Sequence, residues 1–186
     1  AYKHAKEKEK KVKNNNILKQ TSLLTKNNKK VLIAGHPYIL YDEYLSKTIL
    51  TTLKNNNIDL IFTDIYDSKD IEKESAKIST DTYWTFNKEI MGAITKYQDN
   101  VNGLILLSAF PCGPDSLTNE LIIRKIHNLP ILNIIIDEAS SETGLITRLE
   151  SFIDIIKKED NYVEKIFNYI SCFFNYCLFW KRSRYI

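Results

Sequence analysis

Cysteine, glycine and proline are all scarce in this 186-residue chain, which holds three Cys, five Gly and four Pro. Three cysteines, an odd number, cannot build a disulfide framework, and such usage fits a reducing, intracellular compartment. So little Gly and Pro excludes collagen, and 44% apolar residues exclude wholesale disorder. No GxGxxG fingerprint, no GxxxxGK(S/T) phosphate loop, no GxSxG elbow and no HExxH helix occurs. No nucleotide and no ATP hydrolysis are therefore expected of this chain. His4, His36 and His127 are scattered, so there is no His cluster. The N-terminus is polar and lysine-rich, without the apolar core of a signal peptide. The longest apolar stretch, residues 166–180, falls short of the roughly 20 residues of a membrane span, and Asn168 and Asn175 interrupt it.

What charge there is lies unevenly. Residues 1–30 carry ten Lys against Glu7 and Glu9, a local +8, while the remainder sums to −5. The body is mildly acidic and suits no phosphate backbone, so no nucleic-acid partner is expected. Residues 1–29 read as a charged lead-in, either helical or disordered.

From Lys30 the pattern alternates. Short apolar runs at Val31–Gly35, Ile58–Thr63, Gly103–Phe110 and Ile131–Ile136 read as buried strands. Between them, Tyr41–Asn57 has a stripe through Tyr44, Leu45, Thr48, Ile49, Thr52 and Leu53. A second helix is expected from a cap at Asp81 or Thr82 to about Gln98. Trp84, Met91 and Ile94 would share its face, and Tyr83–Trp84 would pack in the core. A third should start at a cap on Asp115 or Ser116 and run to about Asn128. A fourth runs from Gly144 to about Lys158, with Leu145, Leu149, Phe152, Ile153 and Ile156 at helical spacing. Strand–helix alternation predicts an α/β fold: one open, doubly wound, mainly parallel four-stranded sheet of Rossmann or flavodoxin type, ordered 2-1-3-4. Residues 30–158 form this domain. Residues 159–186 are an aromatic C-terminal tail that reads as a packing helix, an interfacial membrane contact through 166–180, or an end foreign to the fold.

Ligands of such sheets bind beyond the carboxyl ends of the strands. The chemically unusual residues fall there. Gly35-His36-Pro37-Tyr38 follows the first strand, Phe110-Pro111-Cys112-Gly113-Pro114-Asp115-Ser116 the third, and Asp137-Glu138 the fourth. Cys112 stands between two prolines at a helix start, where the helix dipole lowers a thiol pKa. It reads as a half-buried structural thiol, an iron–sulfur ligand or a nucleophile. One cysteine cannot hold a cluster, which takes about four ligands. His36 is a candidate base or ligand, or a loop-packing residue. Asp137 and Glu138 form a carboxylate pair or a strand-end turn. Arg148 is placed to reach an anion or to tie Asp137, Glu138 or Asp115 to the last helix.

Three of these segments carry a family resemblance. Val31-Leu32-Ile33-Ala34-Gly35-His36-Pro37-Tyr38, Phe110-Pro111-Cys112-Gly113-Pro114-Asp115-Ser116, and Asp137-Glu138 followed by Thr143-Gly144 and Thr147-Arg148-Leu149-Glu150 resemble the acyl-CoA dehydratase activase-related proteins, kin of the 2-hydroxyglutaryl-CoA dehydratase D-component. Tyr83-Trp84 before Glu89-Ile90 is similar to the same family. The resemblance spans about residues 30–158. It implies an oxygen-sensitive 4Fe-4S cluster, anaerobic metabolism in the cytoplasm, and partnership with an ATP-dependent activase or other subunits. It makes Cys112 a metal ligand and Gly113, Asp115 and Ser116 its cofactor-binding neighbours, with further cysteines supplied from outside this chain. His36, Asp137, Glu138 and Arg148 become candidate catalytic residues. Ala139 stands where the family commonly has His. The expectation is an iron–sulfur-associated domain of a larger 2-hydroxyacyl-CoA dehydratase or activase-related system that does not act as an independent enzyme. The alternative is a non-catalytic α/β interaction domain or degenerate fragment.

Overall fold

The computed structural model describes residues 2–66, 71–137 and 141–158. Four strands, β1 (Lys30–Ala34), β2 (Asp59–Phe62), β3 (Gly103–Ala109) and β4 (Ile131–Ile136), form one sheet in the order β2-β1-β3-β4. All three pairings are parallel: Leu32 faces Ile61 on one side and Leu104 on the other, and Leu106 faces Asn133. The expected class and strand order are those observed.

Seven α-helices are formed by the described residues: α1 (Tyr2–Leu24), α2 (Pro37–Leu40), α3 (Lys47–Asn55), α4 (Ile71–Ser75), α5 (Thr85–Tyr97), α6 (Gly113–Lys125) and α7 (142–158). Among them none is long and apolar enough to cross a membrane. The C-terminal tail, with Cys172, Cys177 and the stretch 166–180, lies outside the described residues, as does Glu138.

Strand side chains alternate between two apolar layers, which is why the strands read as continuous apolar runs. Leu32, Ala34, Leu104 and Leu106 meet Met91, Ile94 and Ile122 of α5 and α6. Val31, Ile33, Ile105 and Leu107 meet Ile49 and Leu53 of α3 and Leu149, Phe152, Ile153 and Ile156 of α7. The buried positions of α7 recur at i, i+3, i+4 and i+7, the face of one helix.

Helix starts depart from the sequence reading. The Asp42 carboxylate accepts from the N–H groups of Tyr44 and Leu45, both at 2.8 Å, and so captures donors a helix would need. Ser46 donates to the Leu40 carbonyl and closes the turn. The helix expected from Tyr41 therefore begins at Lys47, and Tyr44, assigned to its apolar stripe, is exposed. Neither Asp81 nor Thr82 caps α5: it opens at Thr85 after an extended Trp84. Trp84 thus leaves the Met91–Ile94 face. Tyr83 is 88% exposed and Trp84 is exposed too, so the core packing expected of the pair is corrected.

The charged lead-in takes its helical form, and it docks. Gln20, 4% exposed, donates from Nε2 to the carbonyls of Phe62 (3.0 Å) and Ile65 (2.7 Å), and its Oε1 accepts the Phe62 N–H at 2.9 Å. Leu23 and Leu24 pack beside it against the core. Replacing Gln20 by Ala strands the N–H and C=O of Phe62, while the Ile65 carbonyl keeps the Tyr97 hydroxyl at 3.2 Å. The expected result is a loss of about 1–3 kcal/mol in urea unfolding, with faster hydrogen exchange at the Phe62 amide.

Candidate functional site

Parallel strands put the segments after β1, β3 and β4 on one sheet edge. His36, Cys112, Asp115 and Asp137 all fall there, as their positions after apolar runs predict.

The Cys112 loop is fixed by its own main chain. The Phe110 N–H donates to the Ile136 carbonyl and the Cys112 N–H to the Ala109 carbonyl, both at 2.9 Å. Cys112 is the N-cap of α6, with Gly113 and Pro114 opening the helix. Ser116 returns to the Cys112 carbonyl with both its N–H (3.1 Å) and its hydroxyl (2.8 Å). The cap expected at Asp115 or Ser116 therefore belongs to Cys112, and Asp115 sits in the first helical turn with its side chain turned inward.

Asp115 is the centre of the cluster, only 4% exposed. Its Oδ1 accepts from His36 Nε2 at 2.8 Å and from Asn87 Nδ2 at 3.1 Å. Asn87 also donates to Thr118 Oγ1 at 2.8 Å, and Thr118 donates to the Pro114 carbonyl at 2.9 Å. Burial works to raise the Asp115 carboxyl, yet His36, Cys112 and Asn87 together hold it below the usual carboxylate value. An ionised Asp115 only accepts, so His36 Nε2 carries the hydrogen of that bond. The His36 ring stacks on Tyr38 (5.7 Å, 19°) and meets the Phe86 edge (5.3 Å, 66°).

The thiol departs from expectation. Burial pushes the Cys112 thiol above its ordinary value. The Asp115 N–H pulls it back down, and the Asp115 carboxylate pushes it up again. The helix end is outweighed first by burial and then by the Asp115 anion in the same turn.

Arg148 does not reach Asp115. Its Nη2 donates to the Asn133 carbonyl at 2.5 Å, anchoring α7 to the middle of β4. Asn133 also accepts from Asn119 of α6 at 3.2 Å. Asp137 stands at the end of β4, on the site edge. Asn87, Thr118 and Phe86 were not legible as site residues, because no local spacing links α5 to a loop some thirty residues later.

A second group lies beside this cluster, at the ends of β1 and β2. A cavity of about 170 Å³ is lined by Lys13, Gly35, Pro37, Thr63, Asp64, Tyr66, Phe86, Glu89 and Ile90. The Tyr41 hydroxyl donates to Asp64 Oδ2 at 2.7 Å. Burial pushes the Asp64 carboxyl up, against the pull of Tyr41 and Lys13. Lys13 Nζ stands 5.1 Å from the Tyr66 ring centre.

The implied cluster takes about four ligands. No group of three His, Cys, Asp or Glu side chains able to hold a metal ion occurs among the described residues. Cys112 is the free thiol of that set. A complete four-ligand cluster therefore does not fit the described residues alone; a single thiolate contribution does.

Fold and edge define a doubly wound α/β domain with its polar cluster at the carboxyl ends of the strands. Residues 1–65 match the family described as the CoA enzyme activase uncharacterised domain, which fits an activase-related acyl-CoA dehydratase family. The match takes in α1, β1 and β2, so the charged helix lies inside the matched segment. No curated protein and no solved structure matches the chain.

Proposed function

We propose that this chain is an iron–sulfur-associated α/β domain of a 2-hydroxyacyl-CoA dehydratase or activase-related system, working in the anaerobic cytoplasm as part of a larger assembly. The observation that carries the reading is Cys112 itself. It is partly exposed, held at the sheet edge by main-chain bonds on both sides, and placed at a helix N-terminus. Such a thiol can donate one ligand outward while its loop stays rigid. Binding iron requires the proton to leave a thiol whose pKa is raised, so metal uptake rises with pH. His36 and Asp115 then position the loop, and Gly113 and Ser116 line its approach. The remaining ligands come from outside the described residues, either from other cysteines of this chain or from the activase and partner subunits.

Anaerobic reconstitution of the full chain with ferrous iron and sulfide tests this. Visible charge-transfer absorbance should develop, and Cys112→Ser should lose most of it. Equal iron and sulfide content in both proteins would overturn the assignment.

A second reading has its own support. Tyr38, Phe86 and Phe110 around the Cys112 loop are exposed, as are Tyr83 and Trp84 before α5. Aromatics of this kind are enriched where proteins meet. A non-catalytic interaction domain would keep this surface and bind no iron.

A further inference from the structure

We propose that a file of lysines on α1 docks the carboxylate face of an acidic helix from a partner protein, beside the candidate site. The inference rests on the reading above that this domain works within a larger assembly, and it names the chemistry of the partner.

The contacts of α1 fix its direction. Just past its C-terminal end, Asn28 Nδ2 donates to Asp59 Oδ2 at 3.2 Å, at the start of β2. Gln20 bonds Phe62, at the end of β2. Lys13 stands over the Tyr66 ring and lines the cavity with Gly35 and Thr63. From its C-terminus backward, the helix therefore climbs along the edge strand and passes the carboxyl end near Lys13. Residues 2–12 extend beyond the sheet, on the edge that carries Cys112, and all of them are exposed.

One face runs the whole length of this helix. Ile17, Gln20 and Leu24 turn toward the body: Gln20 is buried and the other two are half-buried. Continued toward the N-terminus in steps of four and three, that face reaches Lys13, Lys10, Lys6 and Lys3. At 3.6 residues per turn, all seven positions fall within about 100° of arc. Past the sheet, the packing face thus becomes a file of four lysines about 15 Å long. Lys13 shows where the file points, since it reaches the cavity that Pro37 and Phe86 also line. Among the described residues, no carboxylate forms an ion pair with Lys3, Lys6 or Lys10.

Charge and spacing select the occupant. Ammonium groups in single file at helical spacing match carboxylates at i, i+3, i+7 and i+10 of a second helix, which lie on one of its faces. A lipid surface needs a continuous apolar face, and Glu9 interrupts the group of Tyr2, Ala5 and Val12. A phosphate backbone running on from the file would meet the net −5 of residues 31–186. An acidic helix meets the file alone. The adjoining surface also suits a protein. Phe86 and Tyr38, both packed on the His36 ring, are exposed, so an aromatic floor borders the basic file. Aromatic anchors inside a charged rim are characteristic of protein interfaces.

Fluorescence anisotropy on the full chain at low salt tests the proposal with a pair of helix-forming, alanine-based peptides. One carries Glu at i, i+3, i+7 and i+10; the other has the same composition with its Glu spread around the helix. The first should bind saturably, and about tenfold or more tighter than the second. Lys6→Glu combined with Lys10→Glu should weaken it about tenfold or more while keeping the circular dichroism spectrum, since both residues lie clear of the core. Lys8→Glu combined with Lys11→Glu changes the net charge equally on other faces of the helix, and should alter binding about twofold at most. Cys112→Ser should leave binding unchanged, so a failure of the iron assignment and a failure of this one are read separately. Absent or equal binding of the two peptides, equal loss in the two double variants, or tighter binding of a single-stranded oligonucleotide or a phosphatidylserine vesicle would overturn the proposal.

Discussion

Asp115→Ala should cost about 2–4 kcal/mol of folding stability, read as a fall in the urea midpoint. The substitution removes the acceptor of two donors, His36 Nε2 and Asn87 Nδ2, in a place where solvent does not replace it. Each stranded donor carries a desolvation penalty of about 1–3 kcal/mol. Asn87 keeps its bond to Thr118, so the sum falls below two full penalties. Asp115→Asn keeps the shape and loses only the charge, and it isolates the pH dependence. The Asp115 carboxyl lies below its usual value in the folded state. Its stabilisation is therefore fully present above the unfolded value of about 3.9 and is lost as pH falls through the lowered folded value. The stability gap between the unmodified protein and Asp115→Asn should narrow as pH falls below about 4. A gap unchanged down to pH 2 to 3 would show that no ionised carboxylate holds the cluster.

Phe152→Ala should be more damaging still, at about 3–5 kcal/mol. The ring is buried between α7 and the sheet, over the first residue of β3. That residue is Gly103, and the absence of a side chain there is what seats the ring. A Cβ on Gly103 would stand 2.8 Å from Phe152 Cζ and 2.7 Å from Ile156 Cδ1. Truncating Phe152 thus opens a cavity that nothing beneath can fill. A coupled test follows. Gly103→Ala in the otherwise unmodified protein should cost about 1–3 kcal/mol through overpacking. In the Phe152→Ala background the same change meets empty space, and the Ile156 methyl can move into it. The two effects should therefore fall short of adding, by about 1 kcal/mol or more. Strict additivity would mean that Gly103 and Phe152 do not share the space.

What the sequence made legible was whatever local pattern encodes. Val31–Ala34 and Leu104–Leu107 are apolar on every residue, and only a strand covered on both faces has that need. The strand order 2-1-3-4 was carried by analogy with doubly wound sheets, since local pattern fixes order poorly, and it is the order observed. The 149, 152, 153, 156 spacing placed α7 correctly. Failures came where side chains overrule propensity. Asp42 diverts two N–H groups and delays α3, which no periodicity reveals. Tyr83 and Trp84 looked like core by composition alone, yet α5 starts after them and leaves them outside. In the candidate site, the residues after β1 and β3 were foreseen as neighbours. That His36 and Asp115 bond to each other, 79 positions apart, was not, because a contact of that range depends on the final packing of two loops. Gln20 was hidden for another reason: it is one polar residue in a helix rich in Lys and Asn, and only its partners distinguish it.

Gln20 has a bearing on solubility. β2 lies at the edge of the sheet, and Thr63 shows the alternation of its main chain, bonding inward to Ile33 while Phe62 faces outward. The outward N–H and C=O of Phe62 are the groups a strand from another molecule would seize. One side-chain amide occupies both, imitating a single peptide unit of a fifth strand and ending the ladder there. The lysine-rich helix that carries it adds repulsion between approaching copies. A chain released from α1 would therefore expose a sticky border, and its first symptom would be fibrillar or amorphous self-association at concentrations where the intact protein stays dispersed.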